Sequence, residues 1–402
     1  LVSYFWRHFF SLLLGFVALS QWACAWWLIS WSLGVRFTGS WLLHLAAPLV
    51  FYFVNRSLLS FPRSSGVTAQ IQRAWTGLAF SSIFASSFLV LAWVVGSLTG
   101  VVLYALGASA TLRLSPGALE LSGQLTTAGV LAVFAAMAWG YTRGQAELQI
   151  NEFTVEVPDL AATLEGLRLV QLSDIHLGRF MSAERISRYV SITNALKPDL
   201  LCITGDITDG LDHAPETFPA LGGLRARHGV YAILGNHDRA TGADAVTAAL
   251  HSWTDFEVLR DRGTVVDVGG ARLHLIGLDD RGKDWARGLS EDPVLDELAA
   301  ALPAGEPSVL LAHRPDLFPQ AAELGLNLVL AGHTHGGQLA LPLPGRVRLS
   351  LARFMTRYPR GTYYSGQSCL HVNRGLGMTG QPVRIATARE ITVITLSRHP
   401  VS

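Results

Sequence analysis

The sequence predicts an α/β fold with crossover connections, preceded by a helical transmembrane region. Three observations predict it. Residues 1–142 carry very few charges, while nearly all Asp, Glu and His lie beyond Ala146. From Gln149 onward, short apolar runs of strand length alternate with stretches of helical periodicity, the pattern of an α/β fold. Five of those runs end in turns that carry Asp, Asn or His, where ligands collect in such folds.

A chain of 402 residues has length for two or three domains and a large core. Half the residues are apolar and 15% are charged, unusual for a soluble protein, and the contrast between the two ends accounts for it. A net charge of +1 gives no case for a nucleic-acid partner. Cys24, Cys202 and Cys369 are far apart in sequence, with no disulfide framework and no CxxC site. Because the chain opens on Leu1, a few preceding residues or an unusual start codon are expected.

Phe9 to Trp31 is charge-free and meets the roughly 20 residues a bilayer span needs. Its tryptophans at 22, 26, 27 and 31 crowd one end, as at a membrane interface. Phe37 to Val54 is a shorter candidate weakened by His44 and Pro48, and Thr76–Leu106 and Leu121–Tyr141 follow. Four spans are expected, or three if the second fails; a cleaved signal peptide explains only the first. Arg56, Arg63 and Arg73 outnumber Arg36 and Arg113 in the other two loops, while Arg7 and Arg143 flank the outer spans. The positive-inside rule then places both termini in the cytoplasm of a multi-pass protein of the cell (inner) membrane, with the C-terminal part cytoplasmic. No acid or Arg interrupts a span, which disfavours a transport path. His44 reads as a satisfied or interfacial histidine, and the segment as an anchor that could also admit a lipid substrate.

Leu167–Leu172 reads as the first strand of the second half, followed by a helix over Ser182–Leu196. Asp199–Thr204 and Gly229–Leu234 are strands, and Ala243–Ser252 is helical. Val265–Val268 and Ala271–Leu278 form a hairpin turned at Gly269-Gly270. A helix over Asp292–Ala301 precedes strands at Ser308–Ala312 and Leu326–Ala331, and Leu370–Asn373 and Glu390–Leu396 complete the set. The late hairpin-like strands suggest a mixed sheet or two stacked sheets.

Polar residues fall at the ends of these strands. Ser173-Asp174-Ile175-His176 follows the first, Gly205-Asp206 the second, and Gly235-Asn236-His237-Asp238 the third. His313 follows Ala312, and Gly332-His333-Thr334-His335-Gly336-Gly337 follows Ala331. Asp, His and an Asn carbonyl without thiolate suit Mn, Fe, Zn or Co better than a soft metal. Six or seven ligands are too many for one ion, and a shared carboxylate could bridge two. A metal pair can clamp both oxygens of a displacement at phosphorus and activate a water between them. Cations also offset charge on the phosphoryl oxygens, and a histidine outside the ligand set could protonate the leaving group.

The series Asp-x-His, Gly-Asp, Gly-Asn-His-Asp, His and Gly-His-x-His resembles the calcineurin-like metallophosphoesterase superfamily, over roughly residues 155–398. The resemblance implies a four-layer α/β/β/α sandwich with a dinuclear metal centre. By motif it implies that Asp174, His176 and His335 hold one metal, that Asn236, His313 and His333 hold the other, and that Asp206 bridges them. It further implies His237 as the general acid, with Asp238 orienting it. The apolar N-terminal segment, the Gly-His-Thr-His-Gly-Gly-Gln form and Asn373-Arg374-Gly375-Leu376-Gly377 resemble the membrane-associated bacterial branch, which includes phosphodiesterases and pyrophosphatases acting on UDP-diacylglucosamine. Ala386-Thr387-Ala388-Arg389-Glu390 lacks the proline usual before the final Glu.

Other positions stay open. Asp279-Asp280 could line the site or form a turn, and Asp209 and Asp212 read equally as a solvated loop. His213, His228, His251, His274 and His371 carry no motif and read as structural or surface. Arg346, Arg348, Arg353, Arg357 and Arg360 could meet an anionic headgroup or a membrane surface, or form a solvated basic loop. The expected organisation is a transmembrane region over 1–145 and a metallophosphoesterase domain over 150–402. The expected activity is hydrolysis of a phosphodiester or related ester by a metal-bound hydroxide, with two divalent ions as cofactors. The substrate could instead be a lipid-linked or UDP-diacylglucosamine-type pyrophosphate, and membrane lipid is a further expected partner. A membrane scaffold or receptor with a structural metal site is the alternative of another class.

Overall fold

The computed structural model describes residues 2–32, 41–60, 67–105, 116–178, 180–282, 288–344 and 348–398. They form two compact units, Leu1–Tyr141 and Thr142–Ser402.

The first unit holds α1 (Val2–Ser32), α2 (Trp41–Ser60), α3 (Val67–Ala105) and α4 (Pro116–Thr142). Among the described residues, three stretches, Ser11–Trp31, Gln70–Val102 and Pro116–Ala146, are long and apolar enough to cross a membrane by length and composition. Among the described residues α2 is not one of them; it holds Pro48, His44, Asn55 and Arg56. Polar side chains link these helices internally. Asn55 donates to Gln21 at 2.8 Å and accepts from the Trp75 indole at 2.8 Å, joining α1, α2 and α3. His44 accepts from the Trp22 indole at 3.2 Å, so it is satisfied. The loop arginines Arg36, Arg63 and Arg113 lie outside the described residues.

The second unit is built on two six-stranded sheets. The first runs β1 (Leu148–Glu156), β14 (Arg389–Ser397), β2 (Arg168–Leu172), β3 (Leu200–Thr204), β4 (Val230–Ile233) and β5 (Glu257–Val258). The second runs β12 (Gly361–Ser365), β13 (Ser368–Val372), β9 (Leu328–Ala331), β8 (Ser308–Leu311), β7 (Ala271–Gly277) and β6 (Arg262–Val268). Both are mixed: β2 to β5 are parallel, as are β7, β8, β9 and β13, while β14–β2, β6–β7 and β12–β13 are antiparallel. At the β6–β7 turn both glycines have positive φ, 63° at Gly269 and 87° at Gly270, as a tight hairpin requires.

Period-two alternation along the strands builds the layers. Leu169, Leu200 and Cys202 of the first sheet meet Val309, Leu311, Leu328 and Leu330 of the second in one core. Their neighbours Val170, Leu201 and Ile203 face the other way, against Ile186, Phe218 and Val246. Those three belong to α5 (Ala183–Ala195), α6 (Ala214–Leu221) and α7 (Asn236–Trp253). On the far side, Leu310, Val329 and Leu370 pack on Leu295 of α8 (Pro293–Ala300) and Phe318 of α9 (Phe318–Glu323). Two sheets sandwiched between two helical layers are the expected α/β/β/α arrangement.

Individual helices follow their local chemistry. α5 starts where the Ser182 hydroxyl accepts from Arg185 N, and buries Ile186, Tyr189, Val190 and Thr193 on one face. α7 begins earlier than its periodicity suggests, because Asp238 accepts from Gly235 N at 2.9 Å and caps the first turn. Gly242, at φ 120°, then kinks it before the predicted Ala243 start. Strand β1 has no clear sequence signal. It pairs with β14, where Arg389 N donates to Glu147 O at 3.0 Å, a bond that a proline at 389 could not make.

Candidate metal centre

The carboxyl ends of β2, β3 and β4 in one sheet and of β8, β9 and β13 in the other meet at one place. The two sheets are tied together there. Gln171 donates to Thr204 Oγ1 at 3.0 Å and to Ala331 O at 2.9 Å. Past the strand ends the backbone turns into the left-handed region at Asp174, His176, Asp206, His333 and His335, with φ between 48° and 69°. Each such non-glycine residue costs about 1–3 kcal/mol and persists only where its surroundings hold it. Here Asp174 N donates to Gly205 O, His176 N to Asp206 O, and His333 N to the Asp174 carboxylate. The turns aim five predicted ligands inward.

Space for this convergence depends on glycine. A Cβ at Gly332 would overlap Ser173 Oγ and Asp174 Oδ2, and one at Gly235 would overlap Asp206 Oδ1. Both motif glycines are therefore fixed by close approach.

Among the described residues three donor groups result: two buried ones that hold the predicted ligands, Asp174–His176–His335 and Asp206–His313–His333, and His176–Asp209–His237 beside them; within each the donor atoms lie within 4.8 Å of one another. Asp206 Oδ2 stands between the two buried groups, 3.7 Å from His176 Nε2 and 3.3 Å from His313 Nε2. Asn236 Oδ1 lies 3.2 Å from His313 Nε2, which is also 3.2 Å from His333 Nδ1. All seven predicted ligands are thus brought together. His313 Nδ1 donates to Thr204 O at 2.8 Å, which leaves the Nε2 lone pair facing the cluster. Asp209 does the same for His176, with Oδ1 2.7 Å from Nδ1, so His176 Nε2 presents its lone pair to His335 Nε2 at 3.1 Å. Facing imidazole nitrogens, two buried carboxylates and no thiolate fit borderline divalent cations.

The electrostatics point the same way. Burial raises the Asp174 carboxyl, and the Asp206 charge adds to that. Burial also opposes ionisation of Asp206, but His313 and His176 hold it well below the usual carboxylate range. Burial works against His313⁺, yet Asp206 and Asp174 outweigh it and push the group up to about 10. His333 is pushed down to about 3 by burial and then by His313 and Arg314. The buried carboxylates thus favour positive charge at the middle of the cluster, which a divalent cation would supply.

His237 and Asp238 part company. The His237 side chain is 36% exposed at the mouth of the centre, its ring edge-on to His176 at 4.7 Å between centroids. Its Nδ1 meets Asp209 Oδ1 at 2.8 Å. Asp238 is fully buried and accepts from the backbone N–H groups of Ile207, Thr208 and Gly235. The expectation that Asp238 orients His237 is corrected: its carboxylate is spent on capping α7 and holding the Asp206 loop. Asp209 faces His237 instead. The signal available in sequence was the three-residue step from Asp206, which places a second acid on the same turn.

Four further open positions resolve. Asp280 pairs with Arg314 at 2.8 Å and Asp279 with Arg260 at 3.0 Å, so neither carboxylate joins the donor clusters. His274 bonds Glu306, and His371 lies in a buried network behind the centre. In that network Glu390 accepts from Arg374 Nε at 2.6 Å and meets His371 Nε2 at 3.1 Å. Burial opposes its charge, but His371 and Arg374 hold its carboxyl well below the ordinary value of 4.5. A depressed folded pKa contributes stability above the unfolded pKa, which is lost as pH falls through the folded value. Glu390→Gln is therefore expected to lose about 1.5–3 kcal/mol at neutral pH. The difference from the parent should shrink in melting curves taken below about pH 4.5. A gap independent of pH would show that the charge contributes nothing.

A model of the calcineurin-like phosphoesterase family matches residues 167–337, which contain every predicted ligand. The uncharacterized metallophosphoesterase YkuE of Bacillus subtilis is 32% identical over 282 residues, 69% of this chain and 96% of that protein. A transmembrane protein with metallophosphoesterase domain from Danio rerio is 32% identical over 289 residues, 68% of this chain and 62% of that one. The uncharacterized metallophosphoesterase Cj0846 of Campylobacter jejuni is 28% identical over 253 residues, 62% of this chain and 63% of that one.

Proposed function

This chain belongs to the calcineurin-like metallophosphoesterases and is a phosphoester hydrolase; from that premise we propose a membrane-anchored enzyme that cleaves phosphodiesters at a dinuclear centre. The observation that carries the two-metal reading is Asp206 Oδ2, set between two donor clusters within 3.7 Å of a histidine from each. Asp174, His176 and His335 would hold one divalent cation, Asn236, His313 and His333 the other, and Asp206 both. When bound, such a pair supplies charge to offset the phosphoryl oxygens and lowers the pKa of a water at the centre.

The rest is done by this chain's own groups. Thr204 O and Asp209 fix the His313 and His176 tautomers, so that their Nε2 atoms point inward. Asp209 also bonds His237 Nδ1, leaving His237 Nε2 to deliver a proton to the departing oxygen. One carboxylate thus couples a ligand to the acid. The three apolar helices and the likeness to a transmembrane relative support placement in the cell membrane. An amphiphilic, lipid-linked phosphodiester or pyrophosphate suits a centre carried on such an anchor.

The test is hydrolysis by the full chain in detergent of a chromogenic phosphodiester, a chromogenic monoester and a UDP-linked acyl sugar. Turnover is expected with Mn²⁺, to vanish with EDTA, and to return with added metal. Preference for the acyl sugar would select the lipid-precursor substrate. No turnover on any substrate, with two metals bound per chain, would return the scaffold reading.

A further inference from the structure

The segment that follows the His333-x-His335 loop is not absorbed by the chemistry. It forms a two-stranded hairpin, β10 (Ala340–Pro342) and β11 (Arg348–Ser350), and a short helix, α10 (Ala352–Met355). Its large apolar side chains point outward. Leu341 is 60% exposed, Leu351 70% and Phe354 75%, and Leu341 sits opposite Leu349 in the ladder. A soluble surface rarely gathers such residues on one short stretch without a partner.

Charge says which partner. Between Glu323 and Glu390 the chain has no acidic residue and eight arginines. Arg348, Arg353 and Arg357 interleave with the exposed leucines and Phe354, while Arg346 lies outside the described residues. The acid facing this segment from a neighbouring element, Asp316, accepts from the Thr356 hydroxyl at 3.1 Å. Apolar side chains with arginines among them match an anionic bilayer surface, where the former enter the acyl boundary and guanidinium groups stay at the headgroups. The tether to the apolar helices is short, since residues 143–147 alone separate α4 from β1. The hairpin is also anchored at its base. Ala340 N donates to Ile385 O at 3.0 Å, and Ser350 lies so close to Gly337 that a Cβ there would overlap it.

We propose that β10, β11 and α10 form a docking face for an anionic lipid surface, set beside the metal centre. This holds whichever ester the centre cleaves. Docking would bring the His335 loop to the lipid–water interface, where a headgroup phosphate is presented.

The test uses the full chain in nanodiscs, with a fluorescent label at Phe354→Cys and the native cysteines, all buried, left unlabelled. Val265→Cys, 49% exposed on β6, the edge strand of the second sheet that lies across it from β12, is the control. With about 30% phosphatidylglycerol, headgroup spin labels are expected to quench the label at 354 at least about twofold more than at 265. Arg348→Glu with Arg353→Glu, or about 1 M salt, should remove the difference. Equal quenching at the two sites would overturn the proposal. So would quenching at 354 that is unchanged in phosphatidylcholine alone and after charge reversal. An environment at 354 that is already apolar in detergent without lipid would assign the face to a second copy instead.

Discussion

Asp206→Asn is expected to lower hydrolysis of a chromogenic phosphodiester at least about 10³-fold, roughly 4 kcal/mol of transition-state stabilisation. The reason is position. Its Oδ2 lies 3.7 Å from His176 and 3.3 Å from His313, so one substitution weakens both clusters. An amide is neutral and a poor bridge between cations, and it removes the charge that faces His313. Metal content measured on the purified variant should fall from two ions to one or fewer. Full activity with two metals retained would sink the bridging role, and loss of stability without loss of turnover would suit a scaffold.

His237→Gln is expected to leave metal content intact and to lower kcat by about 10²–10⁴. Because His237 is assigned to protonating the leaving oxygen, the deficit should be largest for an alkyl leaving group and small for a nitrophenolate, which departs unprotonated. A deficit independent of the leaving group would mean that His237 binds substrate and does not act as the acid. Asp209→Asn should reproduce the leaving-group dependence and also reduce metal affinity by about 10–100-fold, since Asp209 orients both His237 and His176. Asp238→Asn should instead show as lowered stability of the first turn of α7, because Asp238 accepts from the backbone amides of Ile207, Thr208 and Gly235.

Much of the second unit was legible residue by residue. Leu200–Thr204 and Leu328–Ala331 are short apolar runs bounded by turns, and a run of that length has few options besides a buried strand. The polar turns after them reveal a site because loops past parallel strands share one edge of a sheet. β1 escaped because its burial is uneven and its partner, β14, lies more than 230 residues away. The start of α7 is not legible locally because Asn236-His237-Asp238 has turn composition, and its cap is a tertiary feature. Asp209 reads equally as a solvated loop because its three-residue step from Asp206 places an acid on the same turn but does not say which histidines it meets.

What the sequence determined by itself was the identity and order of the candidate ligands, the apolar helices before them, and the α/β alternation between. These follow from local properties: side-chain chemistry, hydrophobic period and turn composition. Only the tertiary structure decided which carboxylate serves which histidine, that Asp206 stands between the clusters, and that Leu341, Leu351 and Phe354 face outward beside the centre. Those relations are distances between segments far apart in the chain. They are set by the packing of two sheets on one shared core, and no local pattern encodes them.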